Sequence, residues 1–280
     1  MSVANVDAPQ HPFTVHGYAV VRRLLSPTDA AAVRHALEHG ERPDVAACER
    51  PNNVLLPLRW DHPAVLAVLG DGRRLARLAA ASAACDLRWT SGYLSTKEPG
   101  SGALPWHQDW WCWDHAVTWR PQAAQVAVLC YLDDTAVESG ALRVLPGSHR
   151  RSVDLHSRLP GDDTAAGTLA ATHAAMVDDP GQVTFEAREG DAVVVDYRLL
   201  HGTHPNTAGG RRHCLVLNFT PGWRDLPDDI RGHLASGWGL PTADECLSAR
   251  RLAHVLPSDD AARRDLPLSR RAPATFGTAG

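Results

Sequence analysis

The chain has almost no lysine. Of its 28 Lys+Arg residues, Lys97 is the single lysine. Such an arginine bias follows nucleotide composition, which makes the one retained lysine worth locating. Long apolar runs are also missing. The longest, such as residues 126–132, fall far short of the roughly 20 residues that cross a bilayer, so no membrane partner is expected. Cysteine is sparse and unpatterned: Cys48, Cys85, Cys112, Cys130, Cys214 and Cys246 form no CxxC pair. That argues against a disulfide framework and for a reduced, cytoplasmic protein. The first residues lack a basic region followed by an apolar one, so no secretory leader is expected. Neither sign of charge dominates: the net charge is −4, and nothing points to a nucleic-acid partner. No internal repeat is present.

What is present is ordinary globular material, 280 residues of which 44% are hydrophobic and 21% charged. That length suits one large domain, or at most two. Residues 16–24 read as a strand. Ser26-Pro27-Thr-Asp29 reads as a helix start, with a Ser cap, Pro in the first turn and an acid at the third position; the helix should run to about His39 and stop at Gly40. Residues 41–60 contain Pro and Asn and read as a loop. Residues 62–84 read as helical with a break at Gly70-Asp-Gly72. Beyond them, residues 86–97, 125–133, 141–145, 182–187, 191–197 and 212–219 read as strands. A long insert, 150–180, is expected to carry a short helix at 164–176. Residues 225–236 read as helical, and the chain from Pro257 as a loosely ordered tail. Helices followed by many short strands give an α+β class, mainly β.

The chemistry lies in four short stretches. Trp106-His107-Gln108-Asp109 places an imidazole and a carboxylate two residues apart, on one face of a strand. A distant imidazole, His201, would complete a 2-His-1-carboxylate set, which suits Fe(II) and leaves positions open for a co-substrate and O2. The other stretches are Ser139-Gly-Ala-Leu-Arg143-Val-Leu-Pro-Gly-Ser-His149, then His201-Gly-Thr203-His-Pro-Asn206, then Gly210-Arg211-Arg212. Taken together and in this order, they closely resemble the phytanoyl-CoA dioxygenase family over roughly residues 12–221.

The resemblance implies a double-stranded β-helix (jelly roll) core, residues 12–221, buttressed by N-terminal helices, with 222–280 as a C-terminal extension of the same domain. It implies Fe(II), 2-oxoglutarate and O2, with His107, Asp109 and His201 as catalytic metal ligands. His201 is preferred to its neighbour His204 because the family's ligand is followed by Gly-Ser/Thr, and on a strand His204 would face the other way. Arg212, 11 positions past His201, matches the family's clamp for the distal carboxylate of 2-oxoglutarate; Arg211 is the alternative. Thr203 shares the face of His201 and is read as a second contact to that carboxylate, against a structural strand threonine. Lys97, with Ser95 and Tyr93 on one face of the preceding strand, is read either as a co-substrate contact or as a solvated strand end. Trp106, Trp110, Trp111, Trp113 and Trp119 crowd one segment; Trp113 and Trp110 are taken as substrate-facing, and some of the five as core, without sorting them all. Arg143 is read as stabilising the sheet and His149 as lining the mouth.

The function so implied is a dioxygenase hydroxylating, or otherwise oxidising, an unactivated C–H bond of a small molecule, in secondary-metabolite biosynthesis. An acyl-CoA or amino-acid hydroxylase and a non-catalytic metal- or ligand-binding jelly roll stand as alternatives. A zinc hydrolase also suits His/His/Asp but leaves Arg212 without a task. The oligomeric state is left open.

Overall fold

The structure is a computed structural model. It describes residues 11–39, 48–50, 52–159, 169–258, 264–273 and 276. Two antiparallel sheets face each other, with helices on one side. The larger has seven strands in the order β1-β9-β6-β11-β4-β3-β2 and the smaller four in the order β5-β10-β7-β8. Their ranges are β1 Tyr18–Val21, β2 Cys48–Arg50, β3 Asn53–Leu58, β4 Arg88–Lys97, β5 Leu104–His107, β6 Val126–Tyr131, β7 Leu142–Val144, β8 Val183–Phe185, β9 Ala192–Asp196, β10 His201–Thr203 and β11 Arg212–Thr220. The helices are α1 Pro12–His16, α2 Pro27–His39, α3 Pro63–Leu69, α4 Gly72–Ala81, α5 Asp154–Arg158, α6 Asp228–Leu234 and α7 Cys246–Ala249.

Period-two alternation sorts the core into two layers. On the large sheet, Val126, Val128, Ala192, Val194, Leu215, Leu217 and Phe219 turn outward, into one buried cluster with Val33 of α2, Val65 and Val68 of α3 and Leu78 of α4. Their alternates Tyr131, Val193, Val195 and Cys214 turn inward and meet Leu142, Val144 and Phe185 of the small sheet. Strand β9 is therefore buried on both faces, which is why it reads as an unbroken Ala-Val-Val-Val run. The inner face also carries a half-buried row, Tyr93, Val216 and Leu129, which are lateral neighbours across β4, β11 and β6.

Several expectations change. The strand expected at 16–24 shrinks to β1, because Pro12 opens a short helix that His11 caps and Gly17 ends. The loop expected at 41–60 contains the hairpin β2–β3, turning at Asn52 with φ 65°. Pro57 misled the sequence reading. It lies on β3 beyond the reach of β2, whose partners are only Asn53, Val54 and Leu55, so its missing N–H costs no ladder bond. The helix expected at 164–176 is absent where described: residues 169–176 make turns, 164–168 lie outside the described residues, and the insert's helix is α5, earlier in the chain. The tail expected to be loose packs instead, with Leu266, Ala272 and Phe276 against an apolar cluster of tryptophans. The helix expected from Ser26 is found as α2, opened by reciprocal bonds between Ser26 and Asp29. Among the described residues no helix is long and apolar enough to cross a membrane.

Candidate metal centre

Two strands of the small sheet bring three side chains to one point. His201 on β10 sits directly opposite His107 on β5, so both imidazoles leave the same face, with ring centroids 4.2 Å apart. Asp109 lies two residues beyond His107. Its Oδ1 is 3.7 Å from His107 Nε2 and its Oδ2 is 3.5 Å from His201 Nε2. Ligand atoms of the three residues lie within 4.8 Å of one another, and this is the one such His/Cys/Asp/Glu group among the described residues.

The far nitrogens explain the orientation. His107 Nδ1 lies 2.8 Å from the Pro105 carbonyl and His201 Nδ1 lies 3.0 Å from the Leu199 carbonyl. A carbonyl only accepts, so each Nδ1 is the donor of that bond, which turns each Nε2 toward Asp109 and makes it the atom that would meet an ion. This is how metal-binding imidazoles are normally braced. The donor set, two neutral imidazoles and one carboxylate with room left over, fits Fe(II).

The backbone around the ligands is held by groups the sequence reading missed. Asp196 and Arg198 form a buried two-pronged pair, Oδ2 to NH2 at 2.7 Å and Oδ1 to Nε at 3.0 Å. Burial pushes the Asp196 carboxyl up, but the charge and hydrogen bonds of Arg198 outweigh it and hold the group below the usual carboxylate range. Arg198 also donates to the Thr118 and Arg120 carbonyls. Gln108 donates to the Arg198 carbonyl, and Trp110 N–H to the Tyr197 carbonyl. The segment bearing His107 and Asp109 is thus stitched to the turn that precedes His201. An acid ending the Ala-Val-Val-Val run, with an arginine two residues on, was the available signal.

Gly202 lets the two ligand strands approach. A Cβ there would lie 2.7 Å from the Leu104 carbonyl and 3.1 Å from that of Pro105, so β5 would have to move. Gly202→Ala is expected to destabilise the protein by about 1–3 kcal/mol, as overpacking does, and to weaken metal binding with it; thermal melts with and without Ni(II) measure both.

On the facing sheet, Arg212 and Lys97 are opposite one another across β11 and β4. Both are buried, Lys97 completely. Arg212 donates weakly to the Gly140 carbonyl at 3.4 Å, and its Nε is buried with no hydrogen-bond partner among the described residues. A buried guanidinium Nε–H without a partner is a donor that a bound carboxylate would satisfy. Lys97 Nζ donates to the Gly102 carbonyl at 2.6 Å and the Asn52 carbonyl at 3.2 Å. Burial, then the nearby charges of Arg212 and Arg143, push its ammonium down to about 7. Gly140, with φ 86°, is required beneath it, because any Cβ would collide with the lysine side chain. The solvated strand end is thereby corrected. Arg211 instead points outward, pairing with Glu98 at 2.8 Å. Thr203 is half-buried on the face of His201 and accepts from Leu104 N–H at 3.4 Å.

His204 turns to the opposite face from His201, as alternation requires, and bonds Thr184 Oγ1 at 3.0 Å. Arg143 shares that outer face. It lies over the Trp106 ring at 4.6 Å and fastens the insert through the Met176 carbonyl and Asp178. The residues expected to face substrate are placed elsewhere. Trp110 donates to Thr118 Oγ1 and is 1% exposed; Trp113 is 2% exposed under Phe276. Both belong to an apolar cluster with Trp111 and Trp223. His149 is buried against α1, its Nε2 3.2 Å from the Thr14 carbonyl. Large rings in an apolar segment found packing partners before they found a pocket.

Comparison with known proteins fits this geometry. The family model described as phytanoyl-CoA dioxygenase (PhyH) matches residues 13–214. An L-proline trans-4-hydroxylase of Streptomyces griseoviridis is 28% identical over 147 residues, 45% of this chain and 52% of that one. A probable alpha-ketoglutarate-dependent hypophosphite dioxygenase of Stutzerimonas stutzeri is 24% identical over 134 residues, 48% of this chain and 45% of that one. The chain thus spans about half the length of these curated relatives. Among solved structures, HygX from Streptomyces hygroscopicus with nickel and 2-oxoglutarate bound superposes with a TM-score of 0.57 at 20% identity, over 75% of this chain and 84% of that one. The carbocyclase SnoK from nogalamycin biosynthesis gives 0.54 at 22% identity, over 75% and 81%. At such identities the likeness is one of fold.

Proposed function

We propose that this chain, which belongs to the phytanoyl-CoA dioxygenase family, is an Fe(II)- and 2-oxoglutarate-dependent dioxygenase that oxidises an unactivated C–H bond of a small molecule. The observation that carries the reading is a pairing across the two sheets. A 2-His-1-carboxylate group lies on one, and a buried guanidinium whose Nε has no hydrogen-bond partner among the described residues lies on the other. A zinc hydrolase would use the first and have no use for the second. The facing sheets are the two halves of a jelly roll, residues 12–221, with 222–280 as an extension of the same domain. The buried free thiols Cys112, Cys130 and Cys214 suit a reducing cytoplasm.

Iron bound there, with 2-oxoglutarate and O2, supplies the oxidising power that removes hydrogen from the substrate, at the expense of 2-oxoglutarate decarboxylation to succinate and CO2. The chain's own residues do the rest. His107, Asp109 and His201 are the residues that would hold the ion. The Nδ1 bonds fix both imidazoles before the ion arrives. Arg212 takes the distal carboxylate, with Lys97 adding charge beside it and Thr203 a hydroxyl from the opposing sheet. The row Tyr93, Val216 and Leu129 floors the remaining space, apolar enough to exclude water and to present a carbon skeleton. Secondary metabolism is the setting we infer, and the presence among structures of like fold of an enzyme from nogalamycin biosynthesis supports it.

Succinate release from 2-oxoglutarate in air, dependent on added Fe(II) and abolished by chelation, tests the reading. Its absence with Fe(II) bound would indicate a non-catalytic binding protein.

Lys97→Met gives a separate expectation. The folded lysine releases its proton near pH 7, the unfolded one near 10.5. Between these values the unfolded state holds the extra proton, so stability rises as pH rises through that window. A carboxylate bound nearby pulls the proton back. Affinity for 2-oxoglutarate should therefore fall as pH rises above about 7 in the native protein. It should be several-fold weaker and flat with pH in Lys97→Met, whose stem still packs. Titrations of 2-oxoglutarate at pH 6.5 and 8.5 decide this; equal slopes for both proteins would remove Lys97 from the co-substrate site.

A further inference from the structure

The C-terminal segment lies beyond the matched family region yet touches the flank of the metal centre. Ser269 N–H donates to the Trp111 carbonyl at 2.8 Å, and Trp113 N–H donates to the Ser269 carbonyl at 2.9 Å. These two bonds grip the residues that immediately follow Asp109. The segment then reaches the insert. Phe276 N–H donates to Ser152 Oγ. Its ring stacks on Trp113 at 5.6 Å and meets Trp119 at 5.8 Å and His156 of α5 at 4.7 Å.

Helix α5 is itself seated on the other two flanks. Leu155 packs in one buried cluster with Trp106, which precedes His107, and Leu200, which precedes His201. Farther along the insert, the Ala175 carbonyl accepts from Trp106 N–H at 2.7 Å and the Val177 carbonyl accepts from Trp106 Nε1 at 2.9 Å. The belt is closed: one side of the ligand segment is tied to the insert, the other to the tail, and tail and insert meet at Phe276.

We propose that the C-terminal segment is a strap that sets the geometry of the metal centre, with Phe276 as a positioning residue joining the flank of Asp109 to the helix packed against the flanks of His107 and His201. The proposal rests on the metal reading above. It assigns a task to a part of the chain that the family model leaves out. Phe276 touches no ligand; it acts through the backbone of 111–113 and through α5. Groups that orient metal ligands from one layer out typically alter affinity about 10–100-fold, and a residue one layer farther should alter it less.

The test uses the full chain and Ni(II), a redox-silent ion, titrated calorimetrically. Phe276→Ala should bind Ni(II) about fivefold more weakly. At saturating Ni(II), 2-oxoglutarate affinity should stay within about twofold, since Arg212 and Lys97 lie on the other sheet. Acrylamide quenching of tryptophan fluorescence should rise as Trp113 and Trp119 lose their cover. Unchanged Ni(II) affinity in Phe276→Ala overturns the proposal, whether or not quenching rises. A loss of 2-oxoglutarate affinity equal to the loss for Ni(II) also overturns it, because that pattern is general loosening. Should Phe276→Ala fail to fold, Phe276→Leu, which keeps apolar volume without ring faces, is read by the same titrations and the same criteria. If the native protein binds no Ni(II), the metal reading fails first, which is a distinguishable result.

Discussion

Asp109→Ala should reduce Fe(II)-dependent succinate formation to the level of the chelated control. The variant removes the one anionic group from a site whose other donors are neutral imidazoles, each holding its proton on the Nδ1 that faces a carbonyl. Two neutral nitrogens on neighbouring strands cannot balance a divalent ion, and Ni(II) affinity should fall by at least about 100-fold, beyond what outer groups cost. The fold should survive, because Asp109 is only half-buried and belongs to none of the apolar clusters. Near-native turnover by a well-folded Asp109→Ala protein would show that the ion, and the activity with it, sits somewhere else.

Arg212→Ala should leave Ni(II) affinity within about twofold and raise the 2-oxoglutarate requirement steeply. Truncating one side of a buried charged hydrogen bond costs about 2–5 kcal/mol, and about 1.4 kcal/mol is a factor of ten, so roughly a 100-fold rise is expected. Lys97 remains to hold part of the charge, which keeps the loss from being total. Arg211→Ala is the control: its side chain is 63% exposed and pairs with Glu98 on the surface, where such pairs contribute little. A larger effect from Arg211 would mean that β11 is used in the opposite register.

These two variants rest on residues visible in the sequence. His107-Gln-Asp109, His201 and Arg212 stand out because the reaction demands particular atoms at particular offsets, and a strand turns offsets of two into a shared face. The α2 boundary was equally plain, since Ser26 and Asp29 make a local device. The failures have a common origin in long-range contacts. Pro57 is a breaker only where a ladder bond is needed, and β2 is too short to need one. For Lys97 the sequence left a co-substrate contact and a solvated strand end open, and its burial, with Nζ bonded to the carbonyls of nearby Gly102 and distant Asn52, removes the second. Trp110 and Trp113 carry the composition of a binding pocket, yet Phe276, 163 residues beyond Trp113, occupies the surface they offer. Asp196 and Arg198 were passed over because charge at a strand end normally means solvent.

The pairing of His201 with His107 has one more effect. The small sheet is built of strands of four, three, three and three residues, too short to resist opening by their backbone bonds alone. An ion held between β5 and β10 would act as a cross-link closing the chain between positions 107 and 201. Cross-links over long loops remove the most freedom from the opened state, and any ligand specific to the closed form adds stability by mass action. Hydrogen exchange at the amides of β5 and β10 should therefore slow when metal is added, while the amides of β6 and β9, enclosed in the large sheet, should not respond. The ion that serves catalysis would also be the rivet of the weaker half of the fold.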